Sequence, residues 1–280
     1  MGYLDALASA SRYKSFGNWL ERLCRSEYEE RKNPEKLHFI KNQLTALREA
    51  VDAVLEPSGW SRISYKSAEL GVVAVHDEFG EMPVLQLSDG IRNLTGLAGD
   101  IASRAIRLNA HLGRDAVANT PGIVLVDEID MHLHPEWQQT VVESLRAAFP
   151  KIQFIFTTHS PQVISTVDRQ SLRVLREDEE GAVFEAPTFQ TRGVESTDVL
   201  ARIMGVDAVP GVEEARLYSD YRAMIDSGKH DVHAGLELRD RLISHFGEDH
   251  PLMLDCERLI RFQIFKRRRS SGGEGYRAQT

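Results

Sequence analysis

The stretch GIVLVDE, residues Gly122–Glu128, decides the fold class of this 280-residue chain. It is an unbroken apolar run that ends in two acids, and such runs are typical of parallel strands covered on both faces. The sequence predicts a helix over Pro135–Ala148 and a second buried strand over Gln153–Thr157. A strand, a helix and a strand with short links predict a βαβ unit, and therefore an α/β sheet.

Two carboxylates, those of Asp127 and Glu128, directly follow the first strand. The carboxyl edge of an α/β sheet is where such proteins bind ligands. In phosphoryl transfer one acid can hold Mg²⁺ through water, while the other orients and deprotonates the attacking water. We therefore predict Asp127 as the metal ligand and Glu128 as the general base. The alternative is a pair of helix-capping acids that closes a core strand.

A second motif, Leu87–Arg92 (LSDGIR), opens a helix predicted from Ile91 to about Leu112. A serine hydroxyl, a glycine amide and a helix N-terminus together predict an anion site for a γ-phosphate. Asp89 departs from this pattern, because it places a negative charge where phosphate would come. A simple helix cap is the alternative explanation for serine and aspartate at this position.

Two further segments complete the pattern. DMHLHP, residues 130–135, follows the acid pair, and TTHSP, residues 157–161, ends the second strand. In this order the motifs resemble those of ABC-type ATPases of the SMC, Rad50 and RecF group. The resemblance implies ATP and Mg²⁺ as cofactors, a crossing loop at 130–135 that reaches a partner subunit, and a switch histidine that contacts the γ-phosphate. The implied site residues are Glu128 and His159 for catalysis, Ser88, Gly90, Arg92, Asp127 and Asp130 for nucleotide binding, and Asp127 for the metal.

The residues of these motifs resemble one bacterial branch of the group even more closely. LSDG-x-R, DEID-x-HLHP-x-WQ and FP-x-x-QF-x-x-TTHSPQV resemble stand-alone AAA ATPases known as predicted ATP-binding proteins involved in virulence. Relatives of that branch, including overcoming-lysogenization-defect and Septu-type ATPases, serve in anti-phage defence. This likeness covers about residues 84–167.

The sequence contains no phosphate-binding loop of the form G-x-x-x-x-G-K-[ST], whose amides and lysine cradle the phosphates of a nucleotide. In the family this loop precedes a helical insertion that lies before the signature motif. We therefore expect the chain to be the C-terminal portion of an ABC-type ATPase, without the Walker A lobe. Such a portion could complete the site of another subunit, yet could not hold its own nucleotide tightly.

The expected architecture is α/β, a partial P-loop NTPase sheet of ABC type with helices on both faces, a helical N-terminal segment and a helical C-terminal appendage. The predicted domains are a helical insertion or arm remnant at 1–60, the C-terminal lobe of the ATPase at 61–170, a hairpin with a helical appendage at 171–269, and a disordered tail at 270–280. The helices of 1–60 could equally form a layer packed on the sheet. Short strands are predicted at 62–65, 71–76 and 84–87.

Two functions are compatible with these motifs. The first is an ATP-hydrolysing dimerisation switch, in DNA repair or anti-phage defence, and the second is a catalytically incomplete interaction module. The expected partner is a second copy or a Walker A-bearing lobe, with a separate nuclease as a further possibility. A net charge of −8 and two distant cysteines favour a cytoplasmic protein without a disulfide framework, and no apolar run is long enough for a membrane. The basic run at 266–269 offers a DNA contact, although solvated helix ends account for most such runs.

Overall fold

The computed structural model describes residues 12–67, 69–178, 181–207 and 209–272. The chain divides into two compact units, Met1–Gly205 and Val206–Thr280. The four segments predicted from the sequence are finer than this division, and their boundaries stay predictions. Among the described residues, no helix is long and apolar enough to cross a membrane.

The elements follow one another along both units. The helices are α1 Arg12–Glu29, α2 Pro34–Leu55, α3 Asp89–Leu108, α4 Ala116–Asn119, α5 Pro135–Gln138, α6 Val141–Ala148, α7 Pro161–Ile164, α8 Ser196–Arg202, α9 Glu213–Asp226, α10 His233–Phe246 and α11 Pro251–Gly272. The strands are β1 Trp60–Tyr65, β2 Val72–His76, β3 Gly80–Pro83, β4 Gly122–Val126, β5 Ile152–Phe156, β6 Val174–Asp178 and β7 Gly181–Glu185. Single 3-10 turns lie at Glu30–Lys32, Glu56–Ser58, Val84–Gln86 and Arg169–Ser171, and a longer 3-10 segment at Ala110–Asp115.

The predicted βαβ unit is present and confirms the α/β fold class. β4 and β5 pair in parallel, from Gly122 opposite Ile152 to Val126 opposite Phe156. The helix predicted between them is interrupted, since α5 ends at Gln138 and α6 begins three residues later. The carboxyl ends of the two strands therefore meet at one edge of the sheet, where ligands bind in α/β proteins.

The sheet of β4 and β5 is covered on one face. That face packs against the main core through Val124, Val126, Phe154 and Phe156. On the other face Ile123 is 64% exposed, Leu125 is 68% exposed and Ile155 is 49% exposed. The prediction of two covered faces therefore holds for one face of this sheet within the described part of the chain. We call the surface formed by Ile123, Leu125 and Ile155 the open face.

A three-stranded antiparallel sheet, in the order β1-β2-β3, precedes α3. The strand predicted at 84–87 is wrong, because Val84–Gln86 is a 3-10 turn and the strand lies earlier, at β3. Pro83 ends β3, since proline cannot donate to the next rung of a ladder. Val84 is fully buried in the core whereas Leu85 is 58% exposed, so this short apolar run fixes a turn instead of extending the sheet.

The helices that precede the sheet form a packed layer. α2 contacts α3, α6 and β1, and α1 contacts α3, which favours the layer over the arm among the two alternatives for 1–60. Asn33 caps α2 by accepting a hydrogen bond from the Lys36 amide at 3.3 Å, as the Asn-Pro pair predicts. α1 and α3 approach closely at Gly99, where a Cβ would lie 2.6 Å from the Phe16 ring. Residues 1–11 of the predicted helical N-terminal segment lie outside the described residues.

The C-terminal part of the chain contains a hairpin and a group of helices. β6 and β7 form the hairpin. In the second unit α9, α10 and α11 enclose their own small core around Tyr221, Ile225 and Leu242. α11 extends through Gly272, so the tail predicted as disordered from Ser270 begins within a helix. The rest of that tail, 273–280, lies outside the described residues.

Candidate functional site

Thr157 holds the acid pair at the end of β4. Its amide donates to the Val126 carbonyl at 3.0 Å, and its own carbonyl accepts from the Ile129 amide at 3.1 Å. The parallel ladder therefore continues beyond both strands. The Thr157 hydroxyl donates to the Asp127 carboxylate and accepts from the Glu128 amide at 2.8 Å. One threonine thus fixes the first carboxylate and the backbone of the second.

Glu128 has a left-handed backbone conformation, with φ at 51°. This region is uncommon for residues other than glycine, and it persists where the surroundings fix the backbone. Both acidic side chains are exposed. The Glu128 residue is held through its amide, and its carboxylate accepts no hydrogen bond from the described residues. The Glu128 carboxylate is therefore free to act as a base, and it lies one residue from Asp127, the predicted metal ligand.

The crossing loop, residues 130–135, is anchored at both ends. Ile129 and Leu133 are buried at 5% and 7% exposure. The Asp130 carboxylate accepts from the Thr158 hydroxyl, and the Asp130 carbonyl accepts from the Leu133 amide at 3.1 Å. Between the anchors, His132 has a φ of 62°. Asp130 therefore fixes the loop to the segment that follows β5.

The motif at the start of α3 is a helix cap that contacts the crossing loop. The Ser88 hydroxyl accepts from the Ile91 amide at 3.5 Å. Gly90 is buried, and a Cβ at this position would lie 2.5 Å from the His132 carbonyl oxygen. Only glycine permits this approach of helix and loop backbones. The cap predicted as the alternative is therefore present, and Gly90 also has a packing role that the sequence alone did not predict.

The charges of this motif are paired with one another. The Arg92 guanidinium forms an ion pair with the Asp89 carboxylate and donates to the Leu85 carbonyl at 3.4 Å. The negative charge that seemed unfavourable for an anion site thus has a cationic partner one turn away. Arg92, predicted to bind nucleotide, is engaged within its own motif.

His159 lies after β5, exposed, between Thr158 and Ser160. Ser160 is 5% exposed and caps α7 through its hydroxyl, which accepts from the Val163 amide at 3.2 Å. His159 lies across the sheet edge from the acid pair, and among the described residues the hydrogen bonds of Asp127 and of the Glu128 amide go to Thr157 and not to this histidine. Its backbone neighbours are fixed, whereas its ring is accessible to a ligand.

Sequence reasoning missed three polar residues that assemble this site: Thr157, Thr158 and Gln138. The two threonines follow β5 directly, opposite the acids that follow β4. The signal was present, because parallel strands of known register place the residues after them side by side. Gln138 gave no comparable signal, since its partners lie in two separate segments.

The site could hold Mg²⁺ only together with the phosphates of a bound nucleotide. Among the described residues, no group of three His, Cys, Asp or Glu side chains could hold a metal ion. Mg²⁺ is commonly held by one or two carboxylates together with substrate phosphates, which suits Asp127. His132 and His134 flank Leu133 in a spacing that also occurs in metal sites, but the His134 ring accepts from the Glu136 amide at 3.4 Å and caps α5.

Residues 23–165 match the family model described as "AAA domain, putative AbiEii toxin, Type IV TA system". The match covers just over half of the chain and includes every predicted site residue. The chain belongs to this family.

Curated relatives of this AAA-domain chain carry ATPase and Septu names. The retron Vc95 probable ATPase of Vibrio cholerae serotype O1 biovar El Tor is 33% identical over 217 residues, which are 76% of this chain and 41% of that protein. The retron Ec83 probable ATPase of Escherichia coli is 34% identical over 209 residues, 74% of this chain and 37% of that protein. Septu protein PtuA of Bacillus mycoides (strain KBAB4) is 36% identical over 145 residues, 50% of this chain and 19% of that protein. The chain therefore spans about two fifths of the first two relatives.

A solved structure shows a partial likeness. The crystal structure of the SMC head bound to the C-winged helix domain of ScpA aligns with a TM-score of 0.42 and 18% identity, over 64% of this chain and 54% of that chain. The family match and the relatives named probable ATPases confirm the resemblance to ABC/AAA-type ATPases.

Proposed function

We propose that this chain is one half of a composite ATP-hydrolysing site, which acts as a nucleotide-driven dimerisation switch. The observation that carries the proposal is the acid pair at the end of β4, held by Thr157 beside a crossing loop that touches the Gly90 backbone. Both carboxylates are exposed at the carboxyl edge of the sheet, which is where α/β proteins bind ligands.

Five of the seven predicted site residues have a direct role in this proposal. Asp127 would hold Mg²⁺ through water, and Mg²⁺ would neutralise charge on the phosphates. Glu128 would accept the proton of the attacking water, and His159 would donate a hydrogen bond to the γ-phosphate. Ser88 and Gly90 would serve the γ-phosphate held by a second subunit, at the positive end of α3.

The open face is the surface on which we propose that a loop-bearing lobe docks. Three large aliphatic side chains lie side by side on it, and Leu125 is directly opposite Ile155 in the register. Parallel sheets occur almost only with both faces covered, so a partner that buries this face would supply the apolar layer that β4 and β5 lack. We propose that a lobe with a G-x-x-x-x-G-K-[ST] loop covers it. A second copy of the chain would meet this lobe's nucleotide through α3 and the crossing loop.

Reconstitution tests the proposal. A separately produced loop-bearing lobe, taken from a longer relative, is mixed with the full chain, and phosphate release from ATP is measured. We expect activity only in the mixture, and we expect Glu128→Gln to remove it, by about 10²–10⁴-fold for a lost general base. Equal turnover by the chain alone, or by the Glu128→Gln mixture, would contradict these roles.

Matched variants test the docking face. Leu125→Asp places a charge on the open face, whereas Leu175→Asp makes the same change at a residue of similar exposure, 61%, in the β6-β7 hairpin. Because both side chains are exposed, neither change should lower the stability of the chain alone by much. Only Leu125→Asp should abolish pull-down of the lobe. Equal loss in both variants would refute docking on this face.

The second candidate is a catalytically incomplete interaction module, favoured by the lack of a phosphate-binding loop in the sequence. In that case the mixture would assemble without turnover.

The retron and Septu names of the relatives support a role in anti-phage defence, and a separate nuclease is the proposed effector. The DNA contact predicted at 266–269 stays a prediction, since the side chains of 267–269 lie outside the described residues.

A further inference from the structure

Gln138 links the two segments that flank the site. It is the last residue of α5, and both ends of its side-chain amide are used. The amide nitrogen donates to the Leu133 carbonyl at 3.0 Å and lies 3.4 Å from the Asp130 carbonyl. The amide oxygen accepts from the Ser160 hydroxyl at 2.7 Å. One side chain therefore joins the crossing loop to the residue that follows His159.

A second link joins the same two segments from the other side of His159. The Thr158 hydroxyl donates to the Asp130 carboxylate and accepts from the Ser160 amide at 3.0 Å. Both backbone neighbours of His159 are thus tied to the crossing loop. Because Ser160 is buried and also caps α7, this end of the link is anchored in the core and cannot yield as an exposed contact would.

The loop is in turn fixed by the start of α3. The His132 carbonyl oxygen abuts Gly90 without room for a methyl group, and Leu133, the next residue, is the acceptor of the Gln138 bond. A displacement of α3 would therefore push the loop, and the loop would pull on Gln138. Packed protein interiors transmit such displacements, because they contain few voids that could absorb them.

We propose that Gln138 is a positioning residue that couples the crossing loop to His159, so that contact of the loop with a second subunit changes the pose of the histidine. This inference rests on the proposed function for its meaning, although the coupling itself is a property of the chain alone. The residue type is specific, because the link needs a donor toward the Leu133 carbonyl and an acceptor for Ser160. Glutamate lacks the donor and methionine lacks both.

The competing explanation is that Gln138 merely stabilises the end of α5. The two differ in one consequence: coupling makes the response of His159 to a change at Gly90 depend on Gln138, whereas local stabilisation does not. Gly90→Ala provides that change, because its methyl group would displace the His132 carbonyl. Gln138→Met removes both hydrogen bonds while keeping a side chain of similar length. Gln139→Met is the matched control at the exposed neighbour.

The experiment follows the His159 ring signals of the full chain by NMR with ¹³C-labelled histidine, assigned with His159→Gln. We expect Gly90→Ala to shift the His159 ring signals in the wild-type and Gln139→Met backgrounds, and to shift them much less in the Gln138→Met background, where only the Thr158–Asp130 link remains. Hydrogen exchange gives an independent readout: Gln138→Met should raise exchange about tenfold in residues 130–133 and 158–160 together.

Gln138→Glu serves as a second variant in case the methionine variant fails to fold. It retains the acceptor for Ser160 and loses the donor to Leu133, so it should also weaken the response of His159 to Gly90→Ala. An undiminished response of His159 in both variants, or no response in the wild-type background, would overturn the proposal. None of these measurements needs ATP turnover, so a failed reconstitution would count against the proposed function and not against the coupling.

Discussion

Replacing Gly90 by alanine tests the contact between α3 and the crossing loop. The new methyl carbon would lie 2.5 Å from the His132 carbonyl oxygen and 3.3 Å from a Leu133 methyl group. Ordinary contact begins near 3.4 Å, so the loop backbone must retreat by about 0.9 Å. His132 is in the left-handed region, which leaves it few conformations for such a shift.

The magnitude combines two opposing effects. Overpacking a well-packed site costs about 1–3 kcal/mol, whereas alanine stabilises a helix over glycine by about 0.5–1 kcal/mol. We expect a net loss of about 1 kcal/mol in the free energy of unfolding. Gly122→Ala is the matched control, because a Cβ there has nothing within 4 Å; it should change stability by about 0.5 kcal/mol or less.

Urea denaturation of the full chain measures the loss, and hydrogen exchange locates it. The Leu133 amide, bonded to the Asp130 carbonyl at 3.1 Å, should exchange faster in Gly90→Ala and not in Gly122→Ala. The reasoning is refuted if Gly90→Ala is as stable as the control and its loop amides keep their protection. That result would mean that the loop is free to move away from α3 at no cost.

Three further changes test the core and the site. Tyr13→Phe should stabilise the chain by about 1 kcal/mol, because the Tyr13 hydroxyl is buried without a partner. Burial raises the pKa of Tyr13 to about 12. The stability that depends on the neutral hydroxyl is therefore complete below about pH 10 and lost as pH rises through 12. Alkaline denaturation should show this loss in the wild type and not in the phenylalanine variant. Burial also raises the pKa of Asp52 above its ordinary value, so its contribution is complete below about pH 4 and lost as pH rises through the raised value. Asp52→Asn should therefore be relatively more stable at pH 7 than at pH 4, as melting curves at both values would reveal, and an unchanged difference would contradict the burial of this carboxyl. Thr157→Val removes the hydroxyl bound to Asp127 and to the Glu128 amide, and should lower the free energy of unfolding in urea by about 1–3 kcal/mol. Thr166→Val is the control, because it removes a single bond to one carbonyl at 2.8 Å, and it should lower this free energy less.

The sequence determined the elements of the site and their order along the chain. The apolar run before Asp127, the start of a helix at Ser88 and the strand before His159 are local patterns, because hydrophobic periodicity and helix caps depend on neighbouring residues. Together they predicted the parallel pair of β4 and β5 and the family. They also placed both acids at the sheet edge.

Only the tertiary structure decided how these elements meet. The contact of Gly90 with the His132 carbonyl, the two bonds of Gln138 and the open face each depend on residues distant in sequence. An apolar run has the same sequence whether one face of its strand is covered or two, because burial depends on what packs against the strand and not on the strand itself. The acid pair was therefore predictable from its own residues. The open face could be recognised only from the positions of the elements that pack around β4 and β5.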